Sequence, residues 1–240
     1  MRLLDVLTEP PRPCSYLLDR SASLTHRILL DVSAAELEGM LERGWRRFGP
    51  DYFRPTCAPC HECVPTRIPL ASFTPSRSQR RAAANAARLH KEYGPPRCDE
   101  ARLRLYHAWH TQREGARGWD ESQLTERGYR AQFAFPHPAA RELAFYDEGR
   151  LIGVSICDET PNALSAVYFF FDPAYAKLSL GIGNVMTLAA IGRALAKSHL
   201  YLGFMVEGCA SLRYKAGFRP QEVLLDTPDD EVLAQWQLAR

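Results

Sequence analysis

The chain has 240 residues, 46% hydrophobic and 24% charged, with a formal net charge of +2; this excludes a disordered or fibrous chain and leaves room for one large domain or two small ones. The longest apolar runs, around 143–157 and 182–195, are broken by charges, glycines and polar residues, so no transmembrane helix and no membrane partner is expected. Residues 1–13 lack the apolar core of a signal peptide, which predicts a cytoplasmic protein. In that setting seven cysteines, an odd number, read as free thiols or metal ligands rather than a disulfide framework.

Ser33-Ala-Ala-Glu36 is a capping box followed by Leu37, Met40 and Leu41 at helical spacing, which predicts a helix closing near Gly44. Gly44–Pro55, rich in glycine and proline, reads as a loop with an unusual density of arginine and aromatics. Cys57, Cys60 and Cys63 then have metal-ligand spacing, with Cys14 as a fourth candidate and His61 as another. A tetrahedral zinc site or a thiolate-bound cluster is one reading of them and packed free thiols the other. Cys98, Cys157 and Cys209 read as structural.

From Ser76 to Arg97 the basic residues Arg77, Arg80, Arg81, Arg88, Lys91 and Arg97 face one acidic residue, Glu92. Such a stretch on a near-neutral protein fits a localised polyanion contact, and a solvated helix face is the alternative. A second helix is predicted from Ser78 to Tyr93. A third spans about Asp99–Glu114, burying Leu103, Tyr106 and Trp109, and a short fourth runs from Ser122 to Tyr129.

From Arg141 the pattern turns to strands. A hairpin over 141–159 turns at Asp147–Arg150, and Leu164–Phe171 is a near-continuously apolar, buried strand. A helix over Ile182–Ser198, a strand over Leu200–Phe204, a loop and short helix over Glu207–Ala216 and a strand over Phe218–Leu225 follow. This is the element order of the C-terminal half of acetyltransferase-like (GNAT-type) folds. The expected class is α+β: an N-terminal cysteine-bearing domain over 1–140, then an acetyltransferase-like mixed sheet flanked by helices over 141–240. Residues 1–75 and 76–140 are free to belong to different units in space. Fold alone does not give function.

Several strings in one order resemble the aminoacyl-tRNA–protein transferases, a family that includes arginyltransferases and bacterial leucyltransferases. In the N-terminal half they are Cys14-Ser-Tyr-Leu17, Gly44-Trp-Arg-Arg-Phe-Gly49, Tyr52-Phe-Arg-Pro55, Cys63-Val-Pro-Thr-Arg67 and Ser76-Arg-Ser-Gln-Arg-Arg81. In the C-terminal half they are Val167–Pro173, Leu178-Ser-Leu-Gly181, Tyr201-Leu-Gly-Phe204 and Gly208–Pro220. Each is weak alone; the ordered set is specific. The chain is shorter than the eukaryotic arginyl type, and the family's N-terminal Cys-x-x-Cys stands here with Leu17 in place of its second cysteine. Both departures resemble the compact bacterial branch. The resemblance therefore implies transfer of leucine from leucyl-tRNA to acceptor proteins with N-terminal Asp or Glu, marking them for degradation under the N-end rule. It also implies iron–sulfur binding in relatives. The alternatives are arginine as donor, an acyl-CoA-dependent N-acetyltransferase, and a tRNA- or zinc-binding module without catalysis. Leu178 stands where a coenzyme A loop carries Arg or Gln, which counts against the second.

An aminoacyl ester is already activated, so amine attack needs no covalent intermediate and no cofactor; the protein must position the reactants, stabilise the oxyanion and protonate the leaving oxygen. Glu207, Tyr214 and Lys215 are the candidates for these proton and oxyanion roles. Ser179 and Gly181 stand at a helix start whose N–H groups suit an oxyanion or phosphate. Arg46, Arg47, Arg54 and Arg67 are candidates for the acceptor's carboxylate, which the guanidinium fork fits. Arg77, Arg80 and Arg81 are candidates for tRNA phosphates. Trp45 and Phe53 suit stacking on a terminal base, with core packing as the other reading, and Tyr168 reads as core.

Overall fold

The computed structural model describes residues 1–117 and 124–239, and the backbone alone for 113–117. In chain order the elements are β1 (Arg2–Thr8), β2 (Arg12–Pro13), β3 (Ser21–Ala22), β4 (Leu24–Leu30), α1 (Ala34–Glu42), β5 (Arg46–Phe48), β6 (Asp51–Pro55), β7 (Val64–Pro69), α2 (Arg77–Ala87) and β8 (His90–Gly94). They continue with α3 (Glu100–Arg117), α4 (Glu126–Phe133), β9 (Ala140–Asp147), β10 (Arg150–Glu159), β11 (Ala163–Phe171), α5 (Leu180–Ala194), β12 (His199–Met205), α6 (Ala210–Arg213), β13 (Glu222–Leu224) and β14 (Trp236–Leu238).

The expected capping box closes α1 at its N-terminus. Ser33 Oγ accepts the Glu36 N–H at 3.2 Å while Glu36 Oε2 accepts the Ser33 N–H at 2.8 Å. Ser76 and Gln79 repeat the arrangement at α2. Leu37, Met40 and Leu41 of α1 bury with Trp45, Tyr52 and Tyr201.

A small antiparallel sheet has the order β1-β4-β6-β5, and an eight-stranded mixed sheet has the order β14-β13-β7-β12-β11-β10-β9-β8. The architecture is mixed α/β. In the large sheet β7 pairs β12 and β8 pairs β9, so strands before residue 140 are hydrogen-bonded to strands after it. The hairpin β9–β10 turns at Glu148 and Gly149, both at positive φ, the tight geometry that matches strand twist. α5 is the crossover joining the parallel pair β11 and β12, a connection that parallel strands require.

Four local expectations give way. The Gly44–Pro55 loop is the hairpin β5–β6, with Gly49 at φ +56 at its turn; glycine and proline mark the bend, and the residues between pair. The second helix stops at Ala87, and His90–Gly94 is an edge strand on β9: tertiary pairing overrides helical propensity in LHKEY. The fourth helix runs Glu126–Phe133 from a Thr125 cap; Ser122 lies outside the described residues. The short strand β14 follows the last predicted one and pairs with β13.

The feature that shapes the site is a parting of strands. β11 and β12 pair in parallel only through Ala163↔His199, Leu164↔Leu200 and Ser165↔Tyr201, although β11 continues to Phe171 and β12 to Met205. At that point β12 bulges against β7 between Tyr201 and Gly203, and Gly203 sits at φ +79. A bulge bends the strand that carries it, and a left-handed residue is cheap only as glycine.

Candidate functional site

Around the bulge the chain gathers two cations, one from β5 and one from the turn after α6. Arg46 on β5 is buried, with its guanidinium carbon 5.5 Å from the ring centres of both Tyr201 and Phe204 on β12. Its Nη1 donates to the Trp45 carbonyl at 2.7 Å, whereas buried Nε and Nη2 have no hydrogen-bond partner among the described residues. Lys215 arrives from the short 3₁₀ turn Tyr214–Gly217, and its Nζ donates to the Phe204 carbonyl at 2.7 Å. A β-carbon on Gly203 would lie 3.6 Å from Lys215 Nζ and 3.9 Å from Arg46 Nε. Burial first, and the neighbouring Arg46 charge second, lower the Lys215 ammonium to about 8. Burial likewise lowers Arg46 to about 10.

The other three expected carboxylate readers are engaged inside the protein. Arg47 forms a buried ion pair with Asp158 and donates to the Gly49 carbonyl at 3.0 Å. Arg54 donates to the Pro228 carbonyl at 2.8 Å and lies 4.6 Å from the Trp45 ring. Arg67 donates to Glu222 at 2.6 Å and to Tyr201 Oη at 3.1 Å, and covers Trp236. Trp45 is buried between Arg27 and Arg54, at 4.3 and 4.6 Å; its ring is closed to a stacking base and belongs to the core. Phe53 stacks on Phe48 at 5.5 Å. Tyr168 sits in an aromatic cluster with Phe133 and Phe170, its hydroxyl 2.9 Å from His110 Nε2.

Glu207 is exposed just after β12. Tyr214 is 44% exposed and edges onto Phe218. Lys215 alone of the three candidate catalytic residues turns inward to the bulge. Ser179, at φ 57, precedes the first turn of α5, whose first intrahelical bond runs from the Gly183 N–H to the Ser179 carbonyl at 3.0 Å. The N–H groups of Leu180, Gly181 and Ile182 therefore precede the helical ladder, and nothing would crowd a β-carbon at Gly181.

α2 spans the space between these segments. Asn85 donates to the Leu178 carbonyl at 3.2 Å, and Gln79 donates to the Gly217 carbonyl at 2.9 Å. Its inner face buries Gln79, Ala82 and Ala86. Its outer face exposes Arg77, Arg80, Arg81 and Arg88, none of them in an ion pair among the described residues. Lys91 and Arg97, part of the same basic stretch, are turned to the Ala86 carbonyl and to Glu92.

A cavity of about 100 Å³ lies beside Phe204 and Val206 and is lined by Cys14, Cys57, Cys60 and Cys63, together with Tyr16 and Phe53. Three of the thiols act on the fourth: burial first, then Cys57, Cys14 and Cys60, push Cys63 up to about 12. Cys14 Sγ accepts the Tyr16 and Leu17 N–H groups at 3.4 Å. Thiol donors suit zinc or an iron–sulfur cluster, yet among the described residues no three Cys, His, Asp or Glu side chains are grouped to hold a metal ion. Of the other three cysteines, Cys157 is buried on β10, while Cys98 and Cys209 are half-buried.

Gly203 is the residue that sequence reasoning passed over. An isolated glycine in the strand pattern Tyr201-Leu-Gly-Phe204 signals a bulge or a close approach, and that signal was available.

The cleft, its crossover helix and its cation cluster are set on a scaffold with recognisable relatives. The family model described as "Arginine-tRNA-protein transferase, N terminus" matches residues 12–81, and that described as "Arginine-tRNA-protein transferase, C terminus" matches residues 101–225. The "Aspartate/glutamate leucyltransferase" of Helicobacter hepaticus is 29% identical over 99% of this chain and 99% of its own length. The protein of the same name from Pseudomonas fluorescens is 35% identical over 90% of this chain and 92% of its own. Among solved structures, "Crystal structure of FemX" covers 84% of this chain and 69% of that one at 8% identity and a TM-score of 0.49. The chain is a transferase. It belongs to the arginine-tRNA-protein transferase family. No helix among the described residues is long and apolar enough to cross a membrane.

Proposed function

We propose that this protein moves leucine from leucyl-tRNA onto the N-terminal Asp or Glu of acceptor proteins in the cytoplasm, creating a destabilising N-terminus that marks them for degradation. What carries the reading is family membership over nearly the whole chain, with relatives named aspartate/glutamate leucyltransferase. The order β11–α5–β12, with its parted parallel pair, supports an acetyltransferase-like cleft for the acyl donor, beside an N-terminal region that carries the cysteines.

The acceptor α-amine, with an ordinary pKa of roughly 7.7–8.0, is partly neutral near physiological pH. Its nitrogen attacks the ester carbonyl, the C–O bond to ribose breaks, the ribose oxygen takes a proton, and an amide remains. Ser179, Gly181 and the first turn of α5 hold the donor's negative oxygens by exposed N–H groups. Arg77, Arg80 and Arg81 on the outer face of α2 take tRNA phosphates. Glu207 receives the ammonium proton, and Tyr214 protonates the leaving oxygen. The chemistry draws on no metal. Zinc or an iron–sulfur cluster at Cys14, Cys57, Cys60 and Cys63 is a proposal of donor chemistry alone, because the thiols are not grouped at one point.

The experiment is transfer of labelled leucine from leucyl-tRNA to peptides beginning with Asp, Glu, Arg or Ala, with arginyl-tRNA and acetyl-CoA in parallel. Leucine on the Asp and Glu peptides alone is the expected result. Arginine on those peptides would keep the class and change the donor. Acetyl transfer alone would overturn the reading.

A further inference from the structure

We propose that Arg46 and Lys215, on either side of Gly203, form the pocket that reads the side-chain carboxylate of the acceptor's first residue. This rests on the aminoacyl-transfer reading and names the part of the site that chooses the acceptor.

The first argument is an imbalance of charge. Arg46 is buried with the N–H groups of Nε and Nη2 unanswered, although buried polar groups are nearly always paired. A buried charge without a counter-charge is costly. Of the nearby carboxylates, Glu222 is paired with Arg67, and Asp158, paired with Arg47 through one oxygen, also acts on Arg46 although no hydrogen bond joins the two among the described residues. Lys215 adds a second cation to the same point and, among the described residues, donates to a main-chain oxygen, that of Phe204. Two neighbouring cations, one of them drawn to an Asp158 that Arg47 already pairs, are stabilised by an incoming anion.

The second argument is space and route. Gly203 contributes no side chain where a β-carbon would meet both Lys215 Nζ and Arg46 Nε. The strand bulge sets Gly203 at the edge of the parted pair. The cavity walled by Phe204, Val206, Tyr16 and Phe53 shares Phe204 with both cations, Lys215 through its carbonyl and Arg46 through its ring. An acidic side chain entering through the cavity places its methylenes against apolar walls and its oxygens at the cations.

The third argument is selectivity. A guanidinium edge matches a carboxylate by two parallel hydrogen bonds, and the flexible lysine follows a carboxylate set one methylene nearer or farther. An amide in the same place leaves both charges buried and uncompensated, so Asn and Gln are rejected although they fit by shape.

The test uses the full chain, leucyl-tRNA and four peptides differing only in a first residue of Asp, Glu, Asn or Gln. Leucine transfer is measured, and peptide binding without tRNA is followed by fluorescence anisotropy. The wild-type protein should bind and modify the acidic peptides and discriminate against the amides. Arg46→Lys keeps the charge and loses the fork; Lys215→Met removes one cation. Each should raise KM for acidic peptides about tenfold to a hundredfold, with KM for leucyl-tRNA unchanged. Lys215→Glu places an internal carboxylate beside Arg46, so the protein should fold with an unchanged or raised Tm and lose its preference for acids. If folded Lys215→Glu still prefers Asp over Asn, the pocket is elsewhere. If Lys215→Met lowers kcat equally on all peptides it modifies and leaves binding alone, Lys215 acts on the reacting atoms, and the proposal fails. Wild-type transfer to acids and amides alike would sink the pocket and keep the transferase. Selective binding of acidic peptides without any transfer would do the reverse.

Discussion

Gly183 on α5 lies against Ala86 on α2 so closely that a β-carbon at 183 would stand 3.0 Å from the Ala86 Cβ and 3.2 Å from the Ala82 carbonyl oxygen. The helix that follows the parted strand and the helix that carries the exposed arginines are thus packed backbone to backbone. Gly183→Val should push α2 away and destabilise the protein by about 1–3 kcal/mol, the usual scale of overpacking. The same displacement loosens Asn85 from Leu178 and Gln79 from Gly217, so KM for leucyl-tRNA should rise. Urea unfolding and tRNA-dependent kinetics check both halves; an unchanged tRNA KM would uncouple α2 from the donor.

The outer face of α2 makes the opposite prediction. Arg77, Arg80 and Arg81 are exposed and free of ion pairs among the described residues, so replacing them with Gln should change stability by less than about 0.5 kcal/mol. Binding of tRNA should weaken, and its dependence on salt should flatten by roughly 0.7–0.9 in log–log slope for each phosphate that the protein no longer neutralises. An unaltered slope would place the tRNA elsewhere.

Asp158 and Arg47 join β10 to β5 by a buried ion pair. Burial is the main influence on the Asp158 carboxyl and raises its pKa, against the pull of Arg47. Asp158→Asn keeps the shape and leaves a buried guanidinium uncompensated, so it should cost about 3–5 kcal/mol, read as a shift in denaturation midpoint.

His137 links Tyr52 to the chain before β9. Its Nδ1 accepts the Ala139 N–H at 3.0 Å, which leaves the ring proton on Nε2, 3.0 Å from the Tyr52 hydroxyl. Burial first, and Arg47 second, lower its pKa from the ordinary 6.5 to about 3. Between those values the unfolded chain binds a proton that the folded chain does not, so stability rises with pH across the window. The contribution is complete above about 6.5 and is lost as pH falls toward about 3. His137→Gln should therefore show a smaller loss of stability between pH 7 and pH 4.5 than the wild-type protein. Equal losses in urea midpoint would show that His137 is not the group responsible.

Patterns local in sequence determined much of this protein. The capping box at Ser33, the hairpin turn at Glu148-Gly149, the apolar strand 164–171 and the basic stretch on α2 each depend on neighbours a few residues apart, so periodicity and turn chemistry expose them. Pairing between distant segments was decided only in three dimensions. Nothing near Val64–Pro69 announces that it pairs with β12 and β13, and nothing near His90–Gly94 announces an edge strand on β9. The four arginines Arg46, Arg47, Arg54 and Arg67 look alike as residues. Their partners separate them: Arg47 pairs with Asp158, Arg67 with Glu222, and Arg54 donates to the Pro228 carbonyl, while Arg46 uses Nη1 on the Trp45 carbonyl and keeps Nε and Nη2 beside Gly203 and Lys215. The sequence determines which chemical groups are present; burial and long-range pairing decide which of them remain available to a substrate.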